Sequence, residues 1–310
     1  MTRAVVFAYH NVGCECLAVL LKHKIDVALV LTHTDNPSEL IWFDSVAALC
    51  KQHGIEAITP DDANTPEMLE HLRALQPDFI FSFYYRNMLK QAVLDTAKHG
   101  ALNMHGSLLP KYRGRVPINW AVINGETETG ATLHYMTAKP DAGDIVGQQA
   151  VTIGPDETAA DVFRKVTAAA AAVLDCHLPA LVAGTAPRIQ QDLAAGGYFG
   201  GRKPADGLID WSTATRVHNL VRGVAPPYPG AFTALPGGTL KVYRTRIETT
   251  APSAAAKPAL QVRDGVCRAV CADGSALQLL EMEFEGKPFT AQDFLSRFGD
   301  NPVSMETQRQ

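Results

Sequence analysis

The chain has 310 residues and a formal net charge of −4, with 46% hydrophobic and 19% charged residues. This size and composition are typical of a globular protein with one large or two smaller domains, whose core needs no disulfide or metal. The slightly acidic balance gives no indication of the broad basic surface that binding a polyanion requires. A nucleic-acid partner is therefore not expected.

Cysteine usage and apolar runs indicate the compartment. The apolar run that begins after Arg3 ends at Tyr9 and is too short for a signal peptide. The longest apolar run, 168–174, is mostly alanine and falls short of the roughly 18 residues that a membrane helix needs. The spacing of the six cysteines shows neither a CxxC pair nor a regular framework, which is typical of reduced thiols. They are Cys14, Cys16, Cys50, Cys176, Cys267 and Cys271. We therefore predict a cytoplasmic protein with no membrane-inserted segment.

The first half of the chain alternates short β-branched runs with amphipathic stretches, the pattern of a mostly parallel sheet with helices on its faces. Residues 5–9, 27–32 and 79–83 are predicted strands. Apolar residues at helical spacing predict a helix over 46–53, and Gly54 favours a left-handed conformation at its end. These elements predict an α/β fold of the Rossmann-like type.

Further helices and one strand follow. Thr65 is a predicted N-cap and Pro66 fits the first helical position. Residues 132–136 alternate as a strand does, and an alanine-rich helix is predicted over 158–182 with a bend at Pro179. This pattern continues the α/β domain to about residue 190.

The composition changes beyond that point. Residues 191–204 are glycine-rich and poor in apolar residues, which predicts a linker between a catalytic domain, 1–190, and a β-rich, OB-like domain, 205–310. The glycines of 196–201 follow no predicted strand, so we expect that part to be flexible. The tail, 301–310, is predicted to be frayed. Short apolar runs between glycine and aspartate turns predict strands at 239–243, 266–271 and 276–282.

The most informative polar pair is Asn103 and His105, which end a predicted strand just before the helix that Pro117 opens. Residues two apart on a strand point to the same side, and strand ends of an open α/β sheet line its ligand crevice. An amide N–H beside an imidazole can stabilise an oxyanion and move a proton. Taken alone, however, Asn-x-His is more often a polar pair without a catalytic role.

A carboxylate is expected near this pair. Asp141 begins the run Asp-Ala-Gly-Asp-Ile, directly after the predicted strand 132–136. A carboxylate beside His105 would raise the pKa of the imidazole by favouring its charged form. The alternative is that Asp141 only forms a turn.

The run from Ala101 to Arg115 contains His-Gly-Ser-Leu-Leu-Pro-Lys-Tyr-Arg-Gly. With the downstream Asp-Ala-Gly-Asp-Ile, it resembles the formyltransferase superfamily that uses 10-formyltetrahydrofolate, which includes methionyl-tRNA formyltransferase and glycinamide ribonucleotide transformylase. The resemblance extends from about residue 4 to Phe232. Four further segments resemble ArnA-type formyltransferase domains, which act on UDP-4-amino-4-deoxy-L-arabinose in lipid A modification and polymyxin resistance: 7–10, 32–37, 81–86 and 124–130.

The resemblance implies that Asn103 and His105 are catalytic and that Asp141 tunes the histidine. It implies 10-formyltetrahydrofolate as the formyl donor and no metal; the histidines also lack ligand spacing. The residues at positions 87 and 137–140 depart in identity from the relatives, but these contacts are largely backbone in the family. The implied folate contacts are Asn87, Met88, Leu89, Arg115, Thr137, Ala138, Lys139, Pro140 and Asp141.

The acceptor amine is indicated by charge. Methionyl-tRNA formyltransferases resemble one another in a lysine- and arginine-rich loop where this chain, over 33–50, has no Lys or Arg and three acids. Because phosphate contacts dominate nucleic-acid affinity, we expect a small-molecule acceptor, a nucleotide sugar. Arginines could bind its pyrophosphate and tyrosines its base or sugar. The predicted acceptor-binding residues are Tyr9, His10, Tyr84, Tyr85, Arg86, Arg113 and Arg202.

Other functions fit less well. A dinucleotide-binding oxidoreductase needs Gly-x-Gly-x-x-Gly after the first strand, and the chain has only Gly13 there. For His10, His33 and His134, a polar rim or a packed core position is the simpler prediction. Methionyl-tRNA formyltransferase and a binding module without activity remain open alternatives. The sequence also leaves open the oligomeric state and whether the chain is an excised domain of a bifunctional enzyme.

Overall fold

The computed structural model describes residues 1–37, 39–249 and 257–305. Its contacts define two compact units, which we call the first and second unit. The division near Gly200 falls inside the predicted linker, 191–204. The first unit comprises Met1–Pro117, Glu128–Thr152 and Phe163–Gly200; the second comprises Ile118–Thr127, Ile153–Val162 and the chain from Gly201 onward.

Helices and strands alternate through the first two-thirds of the chain, as predicted. In chain order they are β1 Arg3–Ala8, α1 His10–Lys22, β2 Asp26–Leu31, α2 Val46–His53, β3 Ala57–Ile58, α3 Pro66–Leu75, β4 Phe79–Phe83, α4 Gln91–Leu94, β5 Ala101–His105, β6 Arg113–Gly114, α5 Pro117–Ile123, β7 Glu128–Tyr135, β8 Ile145–Thr152, α6 Ala159–Val182 and β9 Tyr198–Phe199.

Strands dominate the remainder. They are interrupted by two helices, with short 3-10 turns at Leu193–Ala195 and Pro204–Gly207. In chain order the elements are α7 Ala214–Val224, β10 Ala231–Leu235, β11 Gly238–Ile247, β12 Ala259–Arg263, β13 Val266–Val270, β14 Ala276–Phe284, β15 Lys287–Pro288, α8 Ala291–Phe298 and β16 Val303–Ser304.

The main sheet of the first unit has the strand order β3-β2-β1-β4-β5-β7-β8. The first five are mutually parallel, whereas β7 and β8 pair antiparallel. This confirms the predicted mostly parallel α/β sheet. Because the order reverses between β1 and β4, the carboxyl ends of these strands and of the adjacent β5 form the crevice where such sheets bind ligands.

Local sequence signals set several element ends. Gly54 lies at φ 66, so the residue without a side chain ends α2 in the left-handed conformation, as predicted. The Thr65 hydroxyl accepts a hydrogen bond from the Met68 N–H at 3.2 Å, and Pro66 begins α3. The alanine-rich α6 contains Pro179. These starts and stops were readable because they depend on neighbouring residues alone.

One core cluster of the first unit lies beside the predicted site. Phe7 of β1, Leu31 of β2 and Ile80 of β4 are fully buried in it, and Leu89 belongs to it as well. Met136, directly after β7, packs against the same cluster. Since a fully buried large apolar side chain contributes roughly 1.5–3 kcal/mol, this cluster anchors the segments that follow β4 and β7.

The second unit contains an antiparallel sheet of order β10-β11-β14-β13-β12-β16, with β15 paired to β14. This confirms the predicted β-rich carboxyl-terminal part. No pairing joins β10 to β16 among the residues that the structure describes, which is compatible with the partly open barrel of an OB-like domain. Helix α7 packs on β11, and Trp211 is fully buried with its indole N–H donated to Thr233 Oγ1 at 3.2 Å.

Two predictions about irregular segments were wrong. The glycine-rich 196–201 is not free: β9 pairs in parallel with β6, and a Cβ on Gly196 would lie 2.0 Å from the Pro110 carbonyl oxygen, so this crossing requires glycine. In the predicted frayed tail, Val303 and Ser304 pair with β12. The rest of that tail, 306–310, lies outside the described residues.

By length and composition alone, α6 could cross a membrane. In the structure 44% of its most apolar 18-residue window is buried against the protein. Buried positions such as Val162, Val166, Ala170 and Leu174 recur at helical spacing. This pattern is typical of a core helix, which passes the same test, so a single such helix is weak evidence for a membrane span.

The cap of α3 offers a stability test. Thr65→Ala removes the acceptor for the Met68 N–H and is expected to lower the free energy of unfolding by about 1 kcal/mol. Thr65→Ser keeps the hydroxyl and serves as the control. Urea denaturation of the three proteins checks this; equal midpoints for the alanine and serine variants would contradict the capping role.

Candidate active site

Strand β5 places Asn103 and His105 on one side, while Leu102 and Met104 are buried on the other. Asn103 pairs with Ser82 of β4 on one flank and with His134 of β7 on the other. His105 is only 6% exposed. The predicted catalytic pair therefore lies on a strand that is held from both sides.

His105 is oriented by a backbone carbonyl. Its Nε2 lies 2.8 Å from the oxygen of Tyr112, which can only accept, so Nε2 carries a proton and donates it. The other ring nitrogen, Nδ1, lies 3.5 Å from Asp141 Oδ1. Nδ1 is thus the position at which the neutral ring can take up a proton, and the carboxylate stands beside it.

A second histidine, His134, belongs to the same group. Its Nδ1 lies 2.9 Å from the Tyr135 carbonyl oxygen and donates to it, so in the neutral ring Nε2 accepts from the Asn103 amide at 3.1 Å. The same Nε2 lies 3.6 Å from Asp141 Oδ1. Sequence reasoning missed this role because His134 is 31 residues from Asn103 and carries no motif of its own.

Asp141 connects these groups. Its side chain is 13% exposed, and Oδ2 accepts the Gly114 N–H at 2.8 Å while Oδ1 faces both histidines. Gly114 has φ 101, and a Cβ there would meet the Phe199 carbonyl oxygen at 2.1 Å. Burial raises the pKa of the Asp141 carboxyl, but His105, His134 and the Gly114 N–H lower it by more. The net pKa therefore lies well below its usual range. Asp141 is therefore ionised.

The pKa of His105 lies below its ordinary value. Burial lowers it most; Asp141 and the Tyr112 carbonyl raise it, and His134 lowers it further. The expectation that Asp141 raises the pKa is right for that one interaction, but the net direction is opposite because desolvation of the charged ring is larger. His105 is thus a neutral imidazole at neutral pH, ready to accept a proton.

The chain after His105 is fixed by hydroxyl groups. The Ser107 hydroxyl donates to the Lys111 carbonyl oxygen, and the Thr132 hydroxyl donates to the Ser107 carbonyl oxygen, each at 2.6 Å. Thr132 also accepts the Leu109 N–H at 3.1 Å. This network holds the run that resembles formyltransferases in one conformation, with the Tyr112 carbonyl aimed at His105.

Both predicted folate-contact segments border the core cluster that contains Leu89 and has Met136 packed against it. Within the first segment, Asn87 is exposed and Met88 is 57% exposed. In the second, Thr137, Ala138 and Lys139 are exposed while Pro140 and Asp141 are partly buried. Arg115 is exposed and its backbone N–H donates to the Phe199 carbonyl oxygen at 2.9 Å. The fold brings the two segments to one cluster, and their contacts with folate stay a prediction.

The predicted acceptor residues that follow β1 and β4 lie in an aromatic cluster at the carboxyl ends of these strands. Tyr9 donates its hydroxyl to Asp35 Oδ1 at 2.7 Å, and the Arg86 guanidinium lies 4.7 Å from the Tyr9 ring centroid. Burial, then Asp35, raise the pKa of Tyr9 to about 12. Arg86 also donates to both oxygens of Glu39, at 2.9 and 3.0 Å. Acids of the 33–50 segment are therefore paired inside the first unit.

His10, Tyr84 and Tyr85 lie in the same cluster. His10 is 9% exposed and stacks on Phe43, and burial lowers its pKa to about 3. Tyr85 stacks on His33, and both tyrosines are partly buried. Their contact with an acceptor stays a prediction.

Two predicted acceptor arginines have structural partners. Arg113 is 8% exposed and donates to the carbonyl oxygens of Leu193 and Gly196, so it holds a turn and is not free to bind a pyrophosphate. Arg202 belongs to the second unit, where its guanidinium lies 4.8 Å from the Trp120 ring centroid. The prediction for Arg113 was wrong because the side chain binds carbonyl oxygens of a short loop. Residue spacing in the sequence does not show this contact.

Within the described ranges, no group of three or more His, Cys, Asp or Glu side chains could hold a metal ion. The candidate site itself contains an amide, two imidazoles and a carboxylate.

Two family models match the chain. The first, described as formyl transferase, matches residues 5–176, and the second, the formyl transferase carboxyl-terminal domain, matches residues 202–299. The first covers more than half of the chain and includes Asn103, His105, His134 and Asp141. The chain belongs to the formyl transferase family and is a formyltransferase.

Solved structures share the fold. An N-formyltransferase from Helicobacter canadensis, in complex with folinic acid and dTDP-3-aminofucose, is 18% identical with a TM-score of 0.71, over 93% of this chain and 100% of that one. The sugar 3N-formyltransferase WlaRD, with dTDP and 5-N-formyl-THF, is 17% identical with a TM-score of 0.68, over 93% and 99%. HypX from Aquifex aeolicus, in complex with tetrahydrofolic acid, is 18% identical with a TM-score of 0.62, over 96% and 47%.

The electrostatic role of Asp141 can be tested directly. Asp141→Asn removes the negative charge that raises the pKa of His105, so the His105 titration should move to lower pH. NMR titration of the His105 ring, assigned with His105→Gln, measures this shift. Asp144→Asn, in the same loop, is the control and should leave the midpoint unchanged. An equal shift in both variants would contradict a specific role for Asp141.

Proposed function

We propose that this protein transfers the formyl group of 10-formyltetrahydrofolate to the amine of a 4-amino nucleotide sugar, most specifically UDP-4-amino-4-deoxy-L-arabinose. The observation that carries the proposal is the connected group of Asn103, His134, Asp141 and His105 at the crevice end of β5. It joins an N–H donor, a proton acceptor and an ionised carboxylate in one site, which is what acyl transfer to an amine requires.

The folate donor supplies an activated formyl carbon when it binds. Residues around the site fit such a ligand: Met88 presents apolar surface, and Thr137, Ala138 and Lys139 are exposed close to Asp141 in the chain. Both segments are anchored to one core cluster through Leu89 and Met136. Asn87, Met88, Leu89, Arg115 and residues 137–141 would hold the folate.

Asn103 would stabilise negative charge on the formyl oxygen as the amine adds. One N–H of its amide is donated to His134 Nε2, which fixes the orientation of the amide. The second N–H has no partner within the described part of the chain and is available to the reacting oxygen. His134 thereby pre-orients the donor, so that little reorganisation is needed during the reaction.

His105 would take the proton that the amine loses. Nε2 is committed to the Tyr112 carbonyl, so the proton is taken at Nδ1, where Asp141 Oδ1 stands at 3.5 Å. The low pKa of His105 keeps the ring neutral beforehand, and the carboxylate stabilises the imidazolium once it forms. Asp141 stays ionised throughout.

The acceptor is argued from charge and from the related folds. Asp35 accepts a hydrogen bond from Tyr9, and Glu39 pairs with Arg86. The 33–50 segment therefore offers no positive surface to a tRNA backbone. Structures of this fold include enzymes bound to dTDP and to a dTDP-amino sugar. Tyr9, His10, Tyr84, Tyr85 and Arg86 would recognise the nucleotide sugar. We place the reaction in the cytoplasm, in lipid A modification that confers polymyxin resistance.

Two alternatives share the fold. Methionyl-tRNA formyltransferase shares the formyl-transfer chemistry and belongs to the superfamily that the Ala101–Arg115 run resembles. A binding module without activity would also retain the fold, but it has no need for Asn103, His105 and Asp141 together. The proposed enzyme explains the complete group.

Loss of the amide donor tests the catalytic step. Asn103→Ala should lower kcat by roughly 10²- to 10³-fold with 10-formyltetrahydrofolate and the amino sugar, because the oxyanion loses its donor. Single-turnover formation of the formamide measures the effect, and Asn301→Ala, an exposed position, is the control. Near wild-type turnover in a folded Asn103→Ala protein would remove Asn103 from the mechanism.

An acceptor panel tests the finer assignment. UDP-4-amino-4-deoxy-L-arabinose, dTDP-3-aminofucose and methionyl-tRNA are each supplied with 10-formyltetrahydrofolate, and kcat/KM is compared. We expect the UDP-4-amino sugar to be the best substrate. Preference for the 3-amino sugar would keep sugar formylation but refute the UDP-4-amino assignment. Formylation of the tRNA alone would refute the sugar, and folate binding without any transfer would favour the binding module.

A further inference from the structure

The loop that carries Asp141 needs support from outside itself. Asp141 has φ 52, in the left-handed region that a non-glycine residue adopts only when its surroundings hold it there. Two residues later, a Cβ on Gly143 would lie 2.0 Å from the Tyr135 carbonyl oxygen, so the loop crosses β7 closely. Its start and end are joined by the Tyr135 N–H donating to the Asp144 carbonyl oxygen at 2.9 Å. The residues between need another tether.

Gln191 supplies that tether. Its side-chain amide donates to the Asp141 carbonyl oxygen at 3.1 Å and to the Gly143 carbonyl oxygen at 2.6 Å. The single amide group of Gln191 therefore donates to the backbone on both sides of Ala142. Gln191 lies in the segment that the sequence predicted to be a linker, and nothing in its spacing connects it to Asp141, 50 residues earlier.

The segment that holds Gln191 is itself fixed on both sides. Before it, Ile189 and Ile145 exchange two backbone hydrogen bonds, at 2.8 and 3.0 Å. After it, Arg113 donates to the carbonyl oxygens of Leu193 and Gly196. Gln191 is thus a rigidly mounted donor, and its position transmits that rigidity to the Asp141 loop.

Packing alone does not account for a glutamine here. The Gln191 Oε1 atom is buried and has no hydrogen-bond partner among the described residues. An unpaired buried carbonyl oxygen disfavours folding, so an apolar side chain of the same length would pack better at this position. What methionine or leucine lacks is the pair of N–H groups that the two carbonyl oxygens receive.

We infer that Gln191 is a positioning residue for formyl transfer, which holds the Asp141 loop so that the carboxylate keeps its place against His105 and His134. This inference rests on the proposed function for its kinetic consequence. Gln191 touches no reacting atom and acts through Asp141. The charged and titratable groups that act on His105 are Asp141 and His134, with the Tyr112 carbonyl as its other polar neighbour.

The direct test compares Gln191→Met, which keeps the length and loses both donors, with Gln190→Met at the exposed neighbouring position. We expect Gln191→Met to fold, to lose on the order of 10- to 100-fold in kcat through misplacement of Asp141, and to shift the NMR titration of His105 to lower pH. The pH shift follows because the carboxylate that raises the pKa of His105 moves away. Gln190→Met should change neither quantity.

A double-mutant cycle identifies the route. If Gln191 acts through Asp141, Gln191→Met should cause little further loss of kcat in an Asp141→Asn background. Losses that multiply in the double variant would show that Gln191 acts independently, and would overturn the inference. Unchanged kcat and His105 titration in Gln191→Met would overturn it too.

A second variant and the choice of readout keep the test decisive. If Gln191→Met does not fold, Gln191→Asn keeps the amide on a side chain one methylene shorter; it should shift the His105 titration in the same direction, and a wild-type titration there refutes the inference. Because the titration needs neither folate nor acceptor, it tests Gln191 even if the acceptor panel shows that the wild-type protein formylates no sugar.

Discussion

Asp141 is an ionised carboxylate with 13% of its side chain exposed, held at a positive φ, and every part of the site depends on keeping it there. Burying a charge is unfavourable unless hydrogen bonds and opposite charge compensate for the lost water. Here the Gly114 N–H donates to Oδ2, and a proton taken up by either neighbouring histidine would place opposite charge beside Oδ1. A group stabilised in this way remains negative at all physiological pH values and can respond to a proton that arrives on His105.

The groups that contact Asp141 come from four separate stretches of chain. Strand β5 supplies His105, β7 supplies His134, the crossing of β6 with β9 presents the Gly114 N–H, and the chain before β9 supplies Gln191. Close backbone crossings bring these stretches together, and glycines make the crossings possible. The geometry of the candidate active site therefore depends on how these loops are held against the sheet.

The residues proposed to recognise the acceptor lie elsewhere, in the segments at the ends of β1, β2 and β4. The pairs Tyr9 with Asp35 and Arg86 with Glu39 give that part of the crevice its polarity without adding positive surface. A fold of this kind hosts different substrates by changing such loops while the strands stay the same. In the proposed function, chemistry and specificity thus lie on different elements of one unit, and substitutions in one can leave the other intact.

The sequence by itself determined the mostly parallel sheet, the caps of α2 and α3, and the pairing of Asn103 with His105, because periodicity, caps and strand alternation depend on near neighbours. It also pointed to Asp141 through a resemblance that spans the whole motif. Only the tertiary structure revealed His134, Gln191 and the buried role of Arg113, since their partners lie 31 to 83 residues away. It also decided the net pKa direction of His105, because desolvation depends on how completely the folded chain excludes water.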